Sequence, residues 1–113
     1  MPDSPFKGRV ALITGASLGI GRATALALGR EGALVAINYR SHREEAEEVA
    51  QAVFDNGSRA IVVQADVAEY GAMEEMVARP VAEFGKLDIA ISNAAYSDRE
   101  PFYEADLDNF RRT

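Results

Sequence analysis

Four mostly apolar runs are spaced along the chain, and longer stretches of mixed apolar and charged residues separate them. The runs are continuous rather than alternating, which is typical of parallel strands that are covered on both faces of a sheet. Helical crossovers between such strands are right-handed and build a doubly wound sheet. The pattern therefore predicts an α/β fold with a parallel sheet of about four strands, over residues 9–14, 33–38, 60–64 and 87–91.

The stretches between the apolar runs predict helices. Gly32 and Gly85 stand just past two of them, where a left-handed residue commonly ends a helix. Ser41 is the predicted N-cap of the second helix, and Glu44 completes a capping box. Pro80 falls inside the third helix and is expected to kink or shorten it. The predicted helices cover residues 19–31, 41–55 and 69–84, and a further helix opens over 104–113.

Composition narrows the classes of function. The 113 residues suit one domain or part of one, and we expect a single partial domain over residues 1–113. The absence of cysteine excludes disulfides and a thiol nucleophile, and His42 as the only histidine excludes a His-rich metal site within this sequence. No metal site is predicted. A net charge of −6 disfavours nucleic acid and anionic membranes as partners. Residues 1–8 lack an apolar signal segment, so we expect a cytoplasmic protein.

A glycine-rich segment carries the clearest chemistry. Residues 14–21 read Thr-Gly-Ala-Ser-Leu-Gly-Ile-Gly, between the first predicted strand and the first predicted helix. Glycines there permit dihedral angles that side chains forbid, and they let the backbone approach a ligand closely. The start of the helix presents unpaired N–H groups and a positive dipole end, which attract phosphate. The segment predicts a pyrophosphate site, with a plain turn as the alternative. Ser17 and Ile20 are expected to offer backbone donors, and the Ser17 hydroxyl a further one.

Four landmarks in order resemble the N-terminal half of the short-chain dehydrogenase/reductase family. They are the turn at Thr14–Gly21, Asp66-Val67 after the third strand, Gly85-Lys86-Leu87-Asp88, and Ser92-Asn93-Ala94-Ala95 where the family usually has Asn-Asn-Ala-Gly. The similarity runs from about residue 7 to residue 113. It implies a Rossmann-like fold and an NAD(P)-dependent oxidoreductase that acts on an alcohol or a carbonyl compound.

The resemblance also implies roles for individual residues. Asp66 would bind the adenine amino group with help from the Val67 backbone, although it could instead cap the next helix. Asn93 would tie the fourth strand to its neighbours and approach the ribose, while Ala94 and Ala95 would let the backbone pass close to the cofactor. The implied cofactor-binding set is Gly15, Ser17, Leu18, Gly19, Ile20, Gly21, Tyr39, Arg40, Asp66, Val67, Asn93, Ala94 and Ala95.

The end of the second strand bears on the choice between NAD and NADP. An acidic residue there would bind the ribose hydroxyls and repel a 2′-phosphate, but Tyr39 holds that place and Arg40 follows. An arginine can pair with a phosphate through two hydrogen bonds, which favours NADP. A solvated arginine is the alternative. Leu18 weakens the case, because NADP-preferring relatives often carry a basic residue there, so NAD is also compatible.

No catalytic residue can be assigned in this sequence. The family uses a tyrosine as general acid with a lysine four residues later, which lowers the pKa of the tyrosine. Here the four tyrosines are followed at that spacing by Arg43, Glu74, Glu100 and Leu107. The leading hypothesis is the dinucleotide-binding half of an oxidoreductase, with a truncated product or gene-model fragment as its origin. The alternatives are a non-catalytic nucleotide-binding module and a module that pairs or oligomerises through its fourth strand.

Overall fold

A computed structural model describes residues 4–93. Within that range the chain folds as a four-stranded parallel sheet with helices on both faces, which confirms the predicted α/β fold. The predicted helix over 104–113 lies outside the described residues. The elements are β1 Val10–Ile13, α1 Gly19–Arg30, β2 Leu34–Tyr39, α2 Arg43–Asp55, β3 Ala60–Gln64, α3 Ala72–Phe84 and β4 Ile89–Ile91.

The order of the strands in the sheet creates a crevice. The order is β3-β2-β1-β4, so the chain first moves outward from β1 and then returns to add β4 on the opposite side of β1. Ala11 pairs with Val35 of β2 on one side and with Ile89 of β4 on the other. Ligands of open α/β sheets bind beyond the carboxyl ends of the strands at such a reversal. The topology therefore directs attention to the segments that leave β1 and β4.

Two separate apolar layers cover the sheet. On one face, α1 and α2 pack with Ala11, Ile13, Val35 and Ile37 in a fully buried cluster. On the other face, α3 packs through Met76 against Leu12 and Ala36, so alternate residues of each strand serve opposite layers. Burial on both faces explains why β1 and β2 appear in the sequence as continuous apolar runs.

The predicted helix ends at glycine are confirmed. Gly32 has φ +94°, and it follows α1 in a Schellman motif in which Ala33 N–H donates to the Leu28 carbonyl oxygen at 3.0 Å. A Cβ at Gly32 would also lie 3.2 Å from Lys7 Cα, so both conformation and space favour glycine. Gly85 ends α3 in the same left-handed region.

The predicted starts of α2 and α3 are wrong. α2 begins at Arg43, and neither Ser41 nor the residue at the N-cap position makes a side-chain capping bond. The loop ahead of α2 is held instead by Gln64, whose Nε2 donates to the Arg40 carbonyl oxygen at 3.0 Å. α3 begins at Ala72 rather than at residue 69, because Asp66 closes a turn of its own first. Long-range and local hydrogen bonds outweighed the helix-start patterns.

Pro80 does not shorten α3. The helix continues through it to Phe84, and the proline ring is almost fully buried. Burial of that ring in the apolar layer offsets the hydrogen bond that proline cannot donate. No helix in the described part of the chain has the length and apolar character needed to cross a membrane.

Candidate functional site

The β1–α1 turn occupies the crevice at the carboxyl ends of β1 and β4. Gly15 and Gly19 have φ values of +61° and +62°, in the left-handed region, and the turn redirects the chain from the sheet into α1. The first turn of α1 contains no acidic residue. The positive end of the α1 dipole therefore faces the crevice without a side-chain carboxylate of its own to neutralise it.

The backbone donors of this turn divide into two groups. Gly15 N–H donates to Asn38 Oδ1 at 3.1 Å, and Ala16 N–H donates to the Asn38 carbonyl oxygen at 3.0 Å. By contrast, the N–H groups of residues 17–21 have no acceptor among residues 4–93, and the first bond into α1 runs from Arg22 to Leu18. The donors that remain for an anion are therefore the N–H groups of residues 17–21, which follow Gly15 and Ala16 in the chain.

Ser17 adds a buried hydroxyl to these donors. The residue is only 6% exposed, yet its side chain makes no hydrogen bond within the described range. Buried polar groups are nearly always paired, and an orphan usually marks a position that a ligand or water completes. A diphosphate would supply acceptors to the hydroxyl and to the adjacent N–H groups. The residues present thus fit a phosphate-containing ligand.

Gly21 allows α1 to start close to the turn. A Cβ on this residue would come within 2.5 Å of the Gly15 carbonyl oxygen and would collide with the Asn93 side-chain amide. Backbone on one side and a hydrogen-bonded amide on the other leave no room for relaxation. The glycine is needed because two segments meet there at backbone distance.

Asn93 joins the end of β4 to the same turn. Its N–H donates to Thr14 Oγ1 at 2.7 Å, and its Nδ2 donates to the Gly15 carbonyl oxygen at 3.3 Å. Thr14 N–H in turn donates to the Ile91 carbonyl oxygen at 3.0 Å. Ala94 and Ala95, which complete the predicted segment, lie outside the described residues.

Asn38 is a site-forming residue that the sequence did not reveal as one. The residue is 2% exposed, and its Nδ2 donates to the carbonyl oxygens of Val63 at 3.2 Å and Ala65 at 3.1 Å while its Oδ1 holds Gly15. The signal was an amide at the end of an otherwise apolar run. Its partners are 23 to 27 residues away, so the pattern alone could not identify them.

The side chains of Tyr39 and Arg40 lie in different environments. Tyr39 is 5% exposed and packs in the layer under α1 and α2, so its ring faces the core. Arg40 is exposed, and its guanidinium has no ion pair or hydrogen bond with any other described residue. Arg43 differs, because its Nε lies 3.0 Å from Glu47 Oε2, and that hydrogen bond raises the pKa of Arg43. Among residues 4–93, Arg40 is thus a cation without an ion pair, and it lies beyond the carboxyl end of β2.

The segment after β3 has a turn of its own. Asp66 Oδ1 accepts the N–H of Ala68 at 3.0 Å, and the carbonyl oxygen of Asp66 accepts the N–H of Glu69 at 2.9 Å. The Asp66 carboxylate caps this turn rather than α3, which starts at Ala72. Val67 is partly buried against the α3 layer. The half-buried Asp66 remains beside the carboxyl ends of the strands, next to β2.

Two apolar side chains lie exposed on the turn. Leu18 is 46% exposed and Ile20 is 76% exposed, although both stand in the segment whose N–H groups have no acceptor among residues 4–93. Exposed apolar side chains beside polar donors are typical of sites that enclose an organic ligand. Within residues 4–93, no cluster of His, Cys, Asp and Glu side chains is arranged to hold a metal ion.

Comparisons with known proteins agree on one family. The family model described as short chain dehydrogenase matches residues 9–113. The chain is 51% identical over 87 residues to versicolorin reductase stcU of Emericella nidulans, covering 77% of this chain and 33% of that protein. It is 39% identical over 108 residues to the L-rhamnose 1-dehydrogenase (NAD(P)(+)) of a Sphingomonas species, covering 96% of this chain and 42% of that protein.

The solved structures give the same result. A short-chain dehydrogenase/reductase from Serratia marcescens superposes with a TM-score of 0.78 at 35% identity. The match covers 91% of this chain and 44% of the Serratia chain. The chain thus spans between a third and a half of the length of these relatives.

Proposed function

The chain belongs to the short-chain dehydrogenase family, and from this premise we propose that it binds NADP in the crevice beyond β1 and β4. In this proposal it serves an oxidoreductase that acts on an alcohol or a carbonyl compound. The observation that carries the proposal is the run of N–H groups at residues 17–21, without acceptors among residues 4–93, beside the buried Ser17 hydroxyl. These donors and the start of α1 carry no formal charge, but together they produce a positive potential that attracts a diphosphate.

The rest of the dinucleotide would extend along the carboxyl ends of the strands. The adenosine half lies toward β2 and β3, where Asp66 and Val67 are proposed to bind adenine. The nicotinamide half lies toward β4, where Asn93, Ala94 and Ala95 are proposed to bind it. Gly15, Gly19 and Gly21 shape the turn, and Leu18 and Ile20 cover the ligand with apolar surface.

The preference for NADP rests on Arg40. Its guanidinium is unpaired within the described part of the chain. Position 39 is a tyrosine rather than an acidic residue that would repel a 2′-phosphate. A charge-assisted, bidentate arginine–phosphate pair is among the stronger hydrogen-bonded contacts. NAD shares every other contact, so we propose that it binds at the same site with lower affinity. The relative named for both oxidised cofactors, the L-rhamnose 1-dehydrogenase, is consistent with dual use.

The contribution of this chain to the reaction is binding and orientation. The bound nicotinamide supplies or accepts a hydride. Residues 17–21 would hold the diphosphate, and Asn93 would keep β4 against the turn so that the crevice stays open. No residue here is assigned to proton transfer, because the Tyr-x-x-x-Lys pair is absent from the sequence. None of the comparisons supports a non-catalytic or pairing module.

The proposal extends to organisation and location. Residues 1–113 are proposed to form one partial NAD(P)-binding domain in the cytoplasm, with a small-molecule alcohol or carbonyl compound as the substrate of the full-length form. Fluorescence microscopy of the tagged chain would test the location.

Isothermal titration calorimetry of the purified chain with NADP, NAD and ADP tests the binding site. We expect all three to bind, with NADP the tightest, because all three carry the diphosphate and only NADP carries the 2′-phosphate. Circular dichroism before the titration establishes that the chain is folded. A folded chain that gives no binding heat with any of the three at about 1 mM would refute the proposal.

A further inference from the structure

We propose that Asn38 is a positioning residue for the phosphate-binding turn, acting through Gly15. This inference rests on the proposed function and adds to it the residue that decides which backbone N–H groups face the ligand. Asn38 Oδ1 accepts the Gly15 N–H at 3.1 Å, and the Asn38 carbonyl oxygen accepts the Ala16 N–H at 3.0 Å. The first two donors of the turn are therefore directed inward, and residues 17–21 are left for the phosphates.

The geometry requires an amide at this position. One planar group must accept from Gly15 and donate to the carbonyl oxygens of Val63 and Ala65. A carboxylate can accept but cannot donate, and a hydroxyl carries only one hydrogen. An apolar side chain would leave the Gly15 N–H and two carbonyl groups without these partners in a position that is 2% exposed. Asparagine meets all three requirements with one short side chain.

The same side chain links both halves of the adenosine-diphosphate site. Val63 lies near the end of β3, and Ala65 follows the last residue of β3, directly before Asp66, the proposed adenine contact. Gly15 belongs to the proposed diphosphate turn. The distance between the two contacts is therefore fixed by one buried group on β2. A preformed spacing lowers the ordering cost of binding, because the turn does not need to rearrange around the ligand.

The neutrality of Asn38 is part of the argument. Asp at this position would keep the size and shape of the side chain. It would place a buried negative charge against two carbonyl oxygens and beside Gly15 in the proposed diphosphate turn. Both effects oppose the folded turn and the anionic ligand. Asn38→Asp therefore keeps the shape of the side chain while it changes the hydrogen-bonding pattern and the charge together.

The test compares Asn38→Asp with Ser58→Ala. Ser58 is a matched control because its buried hydroxyl donates to the Ala33 carbonyl oxygen, which links the segments that precede β3 and β2 at the opposite end of the sheet. Calorimetry with NADP and ADP is run at a temperature where circular dichroism shows each variant folded. We expect Asn38→Asp to bind both at least about tenfold more weakly, and Ser58→Ala to stay within about twofold of the original.

Amide hydrogen exchange on the original chain gives a second readout that does not depend on variant stability. Without ligand, we expect the Gly15 amide to exchange slowly and the amides of residues 17–21 to exchange quickly. NADP should slow only the second group. A Gly15 amide that exchanges as fast as that of Leu18 in the unliganded chain overturns the inference, and this measurement decides the case if Asn38→Asp does not fold.

The outcomes distinguish the two proposals. If the original chain binds and a folded Asn38→Asp binds equally well, Asn38 is not a positioning residue while the proposed function stands. If the folded original chain binds no nucleotide, the proposed function fails and this inference fails with it. A loss of affinity in Ser58→Ala equal to that in Asn38→Asp would also overturn the inference, because general destabilisation would then explain both.

Discussion

The two ends of the sheet are fastened by different chemistry. At the carboxyl end, neutral groups make the cross-strand bonds: Asn38 to Gly15, and Asn93 to Thr14. At the amino end of β1 and β4, a carboxylate does so, since Asp88 Oδ2 accepts the Val10 N–H at 2.9 Å and Asp88 lies near two cations. An ionised side chain thus bridges β1 and β4 at the amino end, whereas amide and hydroxyl groups bridge them at the carboxyl end, where we propose that an anion binds.

At the amino end, Asp88 connects the segments that lead into β1 and β4. Asp88 Oδ2 lies 3.2 Å from Lys86 Nζ, and Asp88 Oδ1 lies 3.9 Å from an Arg9 guanidinium nitrogen. The hydrogen bond from Val10 N–H is the main reason that the pKa of Asp88 is lowered, with the Lys86 and Arg9 charges adding to it. An ionised carboxylate suits this end, because β1 and β4 begin there and the proposed ligand lies at the other end of the strands.

The largest effect on binding is expected when a side chain is added at the closest contact between segments at the carboxyl end of the sheet. Gly21→Ala puts a methyl group against the Gly15 carbonyl oxygen and the Asn93 amide, so the turn must shift. We expect NADP affinity to fall by at least about thirtyfold, measured by calorimetry.

Gly29→Ala is the control in the same helix, where the three atoms nearest to the added Cβ are Val53 side-chain carbons at 3.0 to 3.4 Å. It should lower the thermal midpoint and leave the affinity of the folded chain unchanged. If the two variants lose affinity equally, the close approach at Gly21 has no special role in binding.

A smaller effect is expected from the exposed cation. Arg40→Gln should weaken NADP binding by about tenfold and leave NAD binding unchanged, because only NADP carries the 2′-phosphate. The ratio of the two dissociation constants is the measurement. Arg43→Gln is the matched control, since Arg43 is already paired with Glu47 and should not alter the ratio. An unchanged ratio in Arg40→Gln would assign the preference for NADP elsewhere.

Ser17→Ala separates stability from binding within the carboxyl end. The hydroxyl is buried and makes no hydrogen bond within residues 4–93, so its removal should not lower the thermal midpoint. If it donates to the diphosphate, ADP should bind about fivefold more weakly. A loss of stability together with unchanged ADP affinity would mean that Ser17 has a structural partner instead.

The smallest effect on binding is expected at the amino end. Asp88→Asn should lower stability near neutral pH and leave NADP affinity within about twofold. The folded-state pKa of Asp88 is lowered from 3.8, so its charge stabilises the fold above that value, and the contribution is lost as the pH falls through the folded pKa. Urea unfolding at several pH values should therefore show the two chains converging below about pH 4. A gap that widens on acidification would contradict the lowered pKa.

The sequence predicted the elements that depend on burial and local backbone demands. Continuous apolar runs located the strands, and Gly32 and Gly85 located two helix ends, because these features need no knowledge of distant partners. The family resemblance predicted that Asn93 ties the fourth strand to its neighbours, and the structure puts it in contact with Thr14 and Gly15.

The remaining features depend on contacts between distant residues. Ser41 is a residue type that commonly caps helices, but Gln64 of β3 holds the loop and α2 starts later. Asn38 ends an apolar run, but its hydrogen bonds to Gly15, Val63 and Ala65 determine its role. Tyr39 directs its ring to the core because residues alternate between the two faces of β2. A single sequence does not specify these pairings.

The most direct test of the account is a titration of ¹⁵N-labelled chain with ADP, followed by backbone amide chemical shifts. The account predicts that the largest shifts occur at residues 17–21, while Gly15 moves less and Ser58 and Asp88 do not move. Shifts concentrated at the amino end, or binding that leaves residues 17–21 unperturbed, would contradict it.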